Sequence, residues 1–250
     1  MKKLLLAAAV LTAALSSSAF AQWSNISVNA GANGFTNWTE ANLGGGVKGR
    51  FLGSSAPAGM NTSGGAGSNV SWGLYAESGQ TAANIYTFPS TLPVGGYVEI
   101  DISLGSINGG GTVGFGLQNS AAVNRFEAYY IGGDPSDTFK LNSAGGQQNV
   151  AGPTTSFASS SYANGNFQTV RFTLGAANTY TLSFDGVDVS NAGLTITASD
   201  ISRIRIFNFA AGQGNDQFFN NVSAVPEPST YALLALGAAG LGAHLIRRRR

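Results

Sequence analysis

Two carboxylates stand two positions apart in Glu99-Ile100-Asp101-Ile102. On an extended strand such residues share a face. Paired acids on one face suit glycosidic-bond cleavage, since a retaining mechanism needs two carboxyl groups about 5–5.5 Å apart. The strand continues as Ser103 and Leu104, and Glu99 and Asp101 are expected as solvent-face residues beside Tyr97. Oxygen-rich turns are the second chemical candidate: Asp134-Pro135-Ser136-Asp137, Asp185-x-x-Asp188 and Asn215-Asp216. Calcium takes six to eight oxygen ligands, but none of these turns has the spacing of a recognised loop, and Asp and Asn favour turns in any case. Aromatic side chains are the third: Trp23, Trp38, Trp72, Tyr129, Tyr130 and Tyr162 can stack on sugars beside Asn and Gln, or fill a core. The chain has no Cys and one His, His244. That excludes a disulfide framework, a Cys zinc site and a Ser/Cys–His triad in the body of the chain. No P-loop is present, and Gly114-Phe115-Gly116 belongs to a strand pattern. No catalytic, cofactor-binding or metal-ligating residue is assigned.

The elements that carry these residues alternate with period two. In Tyr97–Leu104, Val98, Ile100, Ile102 and Leu104 face one way. Val113, Phe115 and Leu117 form an apolar face in Thr112–Gln118, as do Val170, Phe172 and Leu174 farther on, and then Tyr180, Leu182 and Phe184. Asp216–Ala224 is read with Phe218 and Val222 on one face and Phe219 on the other. Asp185-Gly186, between Phe184 and Val187, carries the signature of a type I′ hairpin turn. Gly-rich runs mark other loops. Asn33–Gly67, poor in pattern, is expected as long loops. Some ten to twelve strands in residues 22–224 make one all-β domain, an antiparallel two-sheet β-sandwich of the jelly-roll kind.

Several segments resemble the concanavalin/laminin-G-like β-sandwiches found ahead of bacterial sorting signals: Trp72-Gly73-Leu74-Tyr75, Gly114-Phe115-Gly116-Leu117, Tyr180 to Gly186, and Asp216-Gln217-Phe218-Phe219-Asn220-Asn221. The resemblance implies that the last strand returns beside the first. Glu99-Ile100-Asp101 also resembles the start of the Glu-x-Asp-x-x-Glu strand of jelly-roll glycoside hydrolases, but with Leu104 in place of the second Glu.

Both ends read as addresses. Lys2 and Lys3, the apolar run Leu4–Leu15 and the small-residue ending at Ala21 make residues 1–21 a signal peptide, cleaved between Ala21 and Gln22. At the other end Val225, Pro226, Glu227 and Pro228 lie in an extended stretch (225–230). An uncharged span follows (231–246), then Arg247, Arg248, Arg249 and Arg250, a basic stop-transfer cluster. Sixteen residues make a helix about 24 Å long, short for a hydrocarbon core of about 30 Å, with the arginines snorkelling on the cytoplasmic side. His244, near those arginines, is expected at the interface. Residues 225–250 resemble the PEP-CTERM sorting signal of exported bacterial proteins. The resemblance implies recognition by an exosortase at Pro226-Glu227-Pro228 and a transmembrane helix that tethers the precursor.

Between Gln22 and Ala224 stand seven basic and eleven acidic residues. A mildly acidic, charge-poor body argues against a nucleic-acid partner. The expectation is an exported, non-enzymatic protein of the cell surface or matrix, with no cofactor, associated with exopolysaccharide or biofilm. Its partners would be the translocon, signal peptidase, exosortase, the membrane before processing, and extracellular polysaccharide. A carbohydrate-binding module, calcium-dependent or not, is the alternative. A glycoside hydrolase stands third.

Overall fold

The period-two runs become strands in a computed structural model of the chain, which describes residues 25–54, 56, 59–105, 107–151 and 166–225. The strands are β1 (Ile26–Val28), β2 (Trp38–Glu40), β3 (Lys48–Gly53), β4 (Thr62–Gly64), β5 (Gly67–Ala76), β6 (Thr81–Thr87), β7 (Tyr97–Leu104) and β8 (Thr112–Gln118). They continue as β9 (Asn124–Ile131), β10 (Lys140–Ser143), β11 (Gly146–Asn149), β12 (Gln168–Leu174), β13 (Tyr180–Phe184), β14 (Val187–Asp188), β15 (Arg203–Phe209) and β16 (Gly212–Val225). One short helix, α1 (Ala30–Asn33), follows β1. The first sheet runs β14-β13-β12-β7-β16-β5-β3, with β1 added to β16 and β4 to β5. The second runs β11-β10-β9-β8-β15-β6-β2. The fold is an all-β antiparallel sandwich, and the last strand lies beside the first, Ile26 opposite Ala224.

Alternation predicts the inner faces well. Val98, Ile100, Ile102, Val170, Phe172, Phe115 and Leu117 are buried between the sheets. Aromatic rings fill the layer in clusters. Trp38, Trp72 and Phe219 meet at one end, with centroids 5.2–5.4 Å apart. Phe126, Phe172 and Tyr180 meet farther along, at 4.9–5.1 Å. Two amides bridge the sheets: Asn208 Nδ2 donates to the Leu74 carbonyl (3.0 Å) and Gln217 Nε2 to that of Gly114 (3.1 Å).

Three expectations need correction. Asn33–Gly67 is not a set of long loops: it ends α1 and contains β2, β3 and β4. Its Gly64 serves close packing against α1, since a Cβ there would lie 2.5 Å from the Ala32 backbone, as one on Gly31 would from that of Thr62. Among the described residues the strands number sixteen, because short pieces of two to four residues are too brief to show a period. In β16, Asn221 has φ 48° and the register slips between Asn220 and Ser223 against β7. This bulge turns Val222 to the same interior side as Phe219, not to the side of Phe218.

Phe218 faces outward yet is 1% exposed. Phe51 packs edge-on against it at 5.8 Å, lying over the bare backbone of Gly73. Asn220 completes this outer layer. Its Oδ1 accepts from the Ala30 amide (2.8 Å), and its Nδ2 donates to the Met60 carbonyl (2.7 Å). The first sheet is therefore covered on both faces around β16.

Candidate functional site

Strand β7 puts Glu99 and Asp101 on one face, as their spacing requires, and its neighbours then engage both. From β12, Arg171 reaches Glu99 Oε2 with Nε (2.7 Å) and Nη2 (2.6 Å), its guanidinium over the Tyr97 ring at 4.4 Å. Asp101 is only 7% exposed, where a solvent-face residue was expected. Its Oδ1 accepts from the Thr169 hydroxyl and its Oδ2 from the Asn221 amide, each at 2.7 Å. Burial pushes its carboxyl above the usual range, against the pull of those two donors. Ser103 donates to the Asn166 carbonyl at 2.8 Å. With both carboxylates engaged, the arrangement clamps β7 to β12 and β16.

The Asp134 turn is filled from within. Lys140, 3% exposed, places its ammonium 2.9 Å from Asp134 Oδ2, 2.8 Å from Ser136 Oγ and 2.6 Å from Asn149 Oδ1. A side-chain cation thus stands among the oxygens that a calcium ion would have taken. Ser136 and Lys140 hold the Asp134 carboxyl down to about 2. Asp137 accepts from the Tyr130 hydroxyl at 2.7 Å. In the next turn Asp185 Oδ1 accepts from the Thr169 amide, and Asp188 is exposed. The side chains of Asn215 and Asp216 lie outside the described ones. Among the described residues no group of three or more His, Cys, Asp or Glu side chains converges.

The aromatic candidates divide. Trp38, Trp72 and Tyr130 belong to the core, while Trp23 and Tyr162 lie outside the described residues. Tyr129 is half-buried on the outer face of the second sheet, where the sequence concealed a richer surface. There Tyr129 donates to Gln147 (3.0 Å). Asn124 and Asn142 donate to the two Glu127 oxygens (2.7 and 3.0 Å). Next to them, β15 presents Arg203, Arg205, Phe207 and Phe209 in one file. The register sets Arg205 opposite Gly116 and Phe207 opposite Gly114, with Glu127 and Tyr129 one strand farther on. The Arg205 guanidinium stacks over the Phe207 ring at 4.8 Å, and Phe209 is 42% exposed. Burial pulls the Arg205 guanidinium below its ordinary value, with Glu127 opposing the shift and Arg203 adding to it. The alternation of Arg203, Ile204, Arg205 and Ile206 was the signal that could have found the start of this strand.

A cleft of about 570 Å³ opens at the sandwich flank, between β1 and the β2–β6 pair, with Asn25, Asn37, Thr39, Tyr86 and Thr87 in its wall. The residues bracketing the signal cleavage site, Ala21 and Gln22, lie outside the described residues. So do Pro226, Glu227, Pro228, the 231–246 span with His244, and Arg247–Arg250. Among the described residues no helix is long and apolar enough to cross a membrane.

Comparison with known proteins separates the tail from the body. Residues 224–250 match the PEP-CTERM protein-sorting motif, which implies export, a membrane-anchored precursor and processing by an exosortase. No curated protein sequence matches the chain. Among solved structures the fold is similar to the globular domain of T. cruzi calreticulin, with 9% identity, TM-score 0.53, and coverage of 86% of this chain and 96% of that one. It is also similar to apo Crh5 transglycosylase: 13% identity, TM-score 0.51, and coverage of 82% and 85%. A family 11 carbohydrate-binding module from Clostridium thermocellum aligns at 9% identity, TM-score 0.39, over 81% and 95%. At these identities the likeness is one of fold.

Proposed function

We propose that the sorting motif delivers a non-enzymatic β-sandwich to the cell surface or matrix, where the body associates with extracellular polysaccharide. The sorting half rests on the match over residues 224–250. The non-enzymatic half rests on one observation: both acids of the strand-borne pair are engaged, Glu99 by Arg171 and Asp101 by Thr169 and Asn221. A retaining mechanism sets two carboxyl groups against one substrate, and Leu104 stands where the hydrolase resemblance calls for the second Glu. Affinity for sugar is supported by the tyrosine, carboxylate and amide groups on the second sheet, the mixture that sugar sites use. A Crh5 transglycosylase of the same fold, solved in complex with NAG at TM-score 0.50, lends the body a saccharide-binding precedent.

The test has two arms. Incubated with extracellular polysaccharide, the chain is expected to co-sediment with it and release no new reducing ends. Release of reducing ends that Glu99→Gln abolishes would replace this reading with a hydrolase. In an exosortase-bearing host, the native chain is expected to lose its tail, while a Pro226→Ala/Pro228→Ala variant stays in the membrane fraction. Identical processing of the two would remove the exosortase step.

A further inference from the structure

We infer that the outer face of the second sheet, along β15 and across β8 to β9, binds a carboxylated polysaccharide, with Arg203 and Arg205 receiving the sugar carboxylates. The inference rests on the polysaccharide reading above and specifies its site and the class of glycan.

Charge carries the argument. Seven Lys and Arg side chains lie in the described residues. Arg50, Arg125, Lys140 and Arg171 are ion-paired. The Lys48 ammonium lies on the carbonyls of Gly44 and Gly46. The side chains of Arg203 and Arg205 have neither an ion pair nor a hydrogen-bond partner among the described residues, and Arg203 Nε is fully buried in that state. A guanidinium carries five donors in a planar fork. Arg203 and Arg205 are both half-buried and stand two positions apart on one face of β15, so two neighbouring forks lie side by side with no internal anion between them. That they remain unmatched in a body with eleven acids to seven bases marks this strip as the place for an external anion. A carboxylate fits the fork in bidentate fashion.

The surroundings favour a sugar acid over a simple ion. Six steps along β15 from Arg203 to Phe209 span roughly 20 Å at about 3.3 Å per residue, the reach of an oligomer. Phe209, 42% exposed, continues the file as an apolar plate beyond Phe207, which is buried beneath the Arg205 guanidinium. Tyr129, Glu127, Asn142 and Gln147 stand alongside in fixed orientations, able to bond hydroxyls. Single-stranded nucleic acid is also anionic and stacks on aromatics, but its platforms lie in strongly basic grooves, and Glu127 beside Arg205 works against a phosphate backbone.

The full chain is titrated calorimetrically at low salt with an alginate hexasaccharide, with cellohexaose and with a single-stranded oligonucleotide. The alginate oligomer is expected to bind, and cellohexaose at least about tenfold more weakly, the difference one charge-assisted contact makes. Arg203→Gln/Arg205→Gln should weaken alginate binding about tenfold or more, and Arg205→Lys less, since it keeps the charge but not the fork. Phe209→Ala, which leaves every charge in place, should weaken it about threefold or more. Unchanged melting temperatures identify these as losses of binding. Alginate binding that survives the double Gln substitution would overturn the site while leaving the polysaccharide reading intact. Equal affinity for cellohexaose would overturn the acidic class, and tighter binding of the oligonucleotide would overturn the glycan. Failure of the wild-type chain to bind either saccharide would overturn the inference, and failure to co-sediment with polysaccharide as well would overturn the reading beneath it.

Discussion

Asp101 and Asp200 titrate in opposite senses. Burial raises the Asp101 carboxyl above its ordinary value. Its contribution to stability is therefore fully present below the unfolded value and is lost as pH rises through the folded one. The stability of the wild type relative to Asp101→Asn should fall between pH 3 and pH 7, as read by denaturant melts at both. Asp200 runs the other way. Arg125 donates to it from Nε (2.6 Å) and Nη2 (2.8 Å), Asn119 from its amide, and the carboxyl is held down to about 2. That contribution is present above about 4 and lost as pH falls toward 2, so Asp200→Asn should flatten the acid limb of the stability profile. The carboxylates were visible in the sequence, but their partners were not. Thr169, Arg171 and Asn221 meet Asp101 and Glu99 only through strand register, and Arg125 meets Asp200 across 75 positions. The Arg203–Phe209 strip stayed hidden because its polarity changes phase midway. Ile204 and Ile206 point inward, then Asn208 takes the inward place to reach the Leu74 carbonyl, leaving Phe207 and Phe209 outside.

At the scale of elements, the long strands and the tight turn were legible. Asp185 and Gly186 both have positive φ, 50° and 78°, between the paired Phe184 and Val187, as a type I′ turn demands. Gly186→Val should destabilise by roughly 1–2 kcal/mol, since a β-branched residue resists that conformation, measured by urea unfolding. The β16 bulge was illegible, because one inserted residue leaves composition unchanged while reversing every later side chain. Asn220 sits at its edge and is fully buried. Asn220→Ala would leave the Ala30 amide unpaired and the Met60 carbonyl with only the longer contact from the Ser71 hydroxyl (3.3 Å). A cost of about 3 kcal/mol is expected, or about 6–12 °C in melting temperature for a domain of this size. Asn220→Asp would still accept from Ala30 but would set a charge against the Met60 carbonyl, and should melt no higher than the Ala variant.

For the whole molecule, the fold is organised by distant partners. β16 pairs with β1, β5 and β7, so the first sheet cannot close until the chain has been made and exported past residue 225. A chain ending at Ala211 should remain unfolded and protease-sensitive, because Trp72 would lose the Phe219 ring and the Gly114 carbonyl its bond from Gln217; a cooperative melt from that fragment would contradict this. Sheets built from such long-range contacts close slowly, which leaves the unfinished chain exposed for longer. The position of β16 also has a mechanical meaning. It is an interior strand, hydrogen-bonded along both sides, and its last residue adjoins the sorting motif. Tension applied through that junction, as in a membrane-anchored precursor, would act along the strand and load both ladders in shear at once, whereas an edge strand would be peeled bond by bond. The end of the body that adjoins the sorting motif is thus where the sandwich is best arranged to resist being pulled apart.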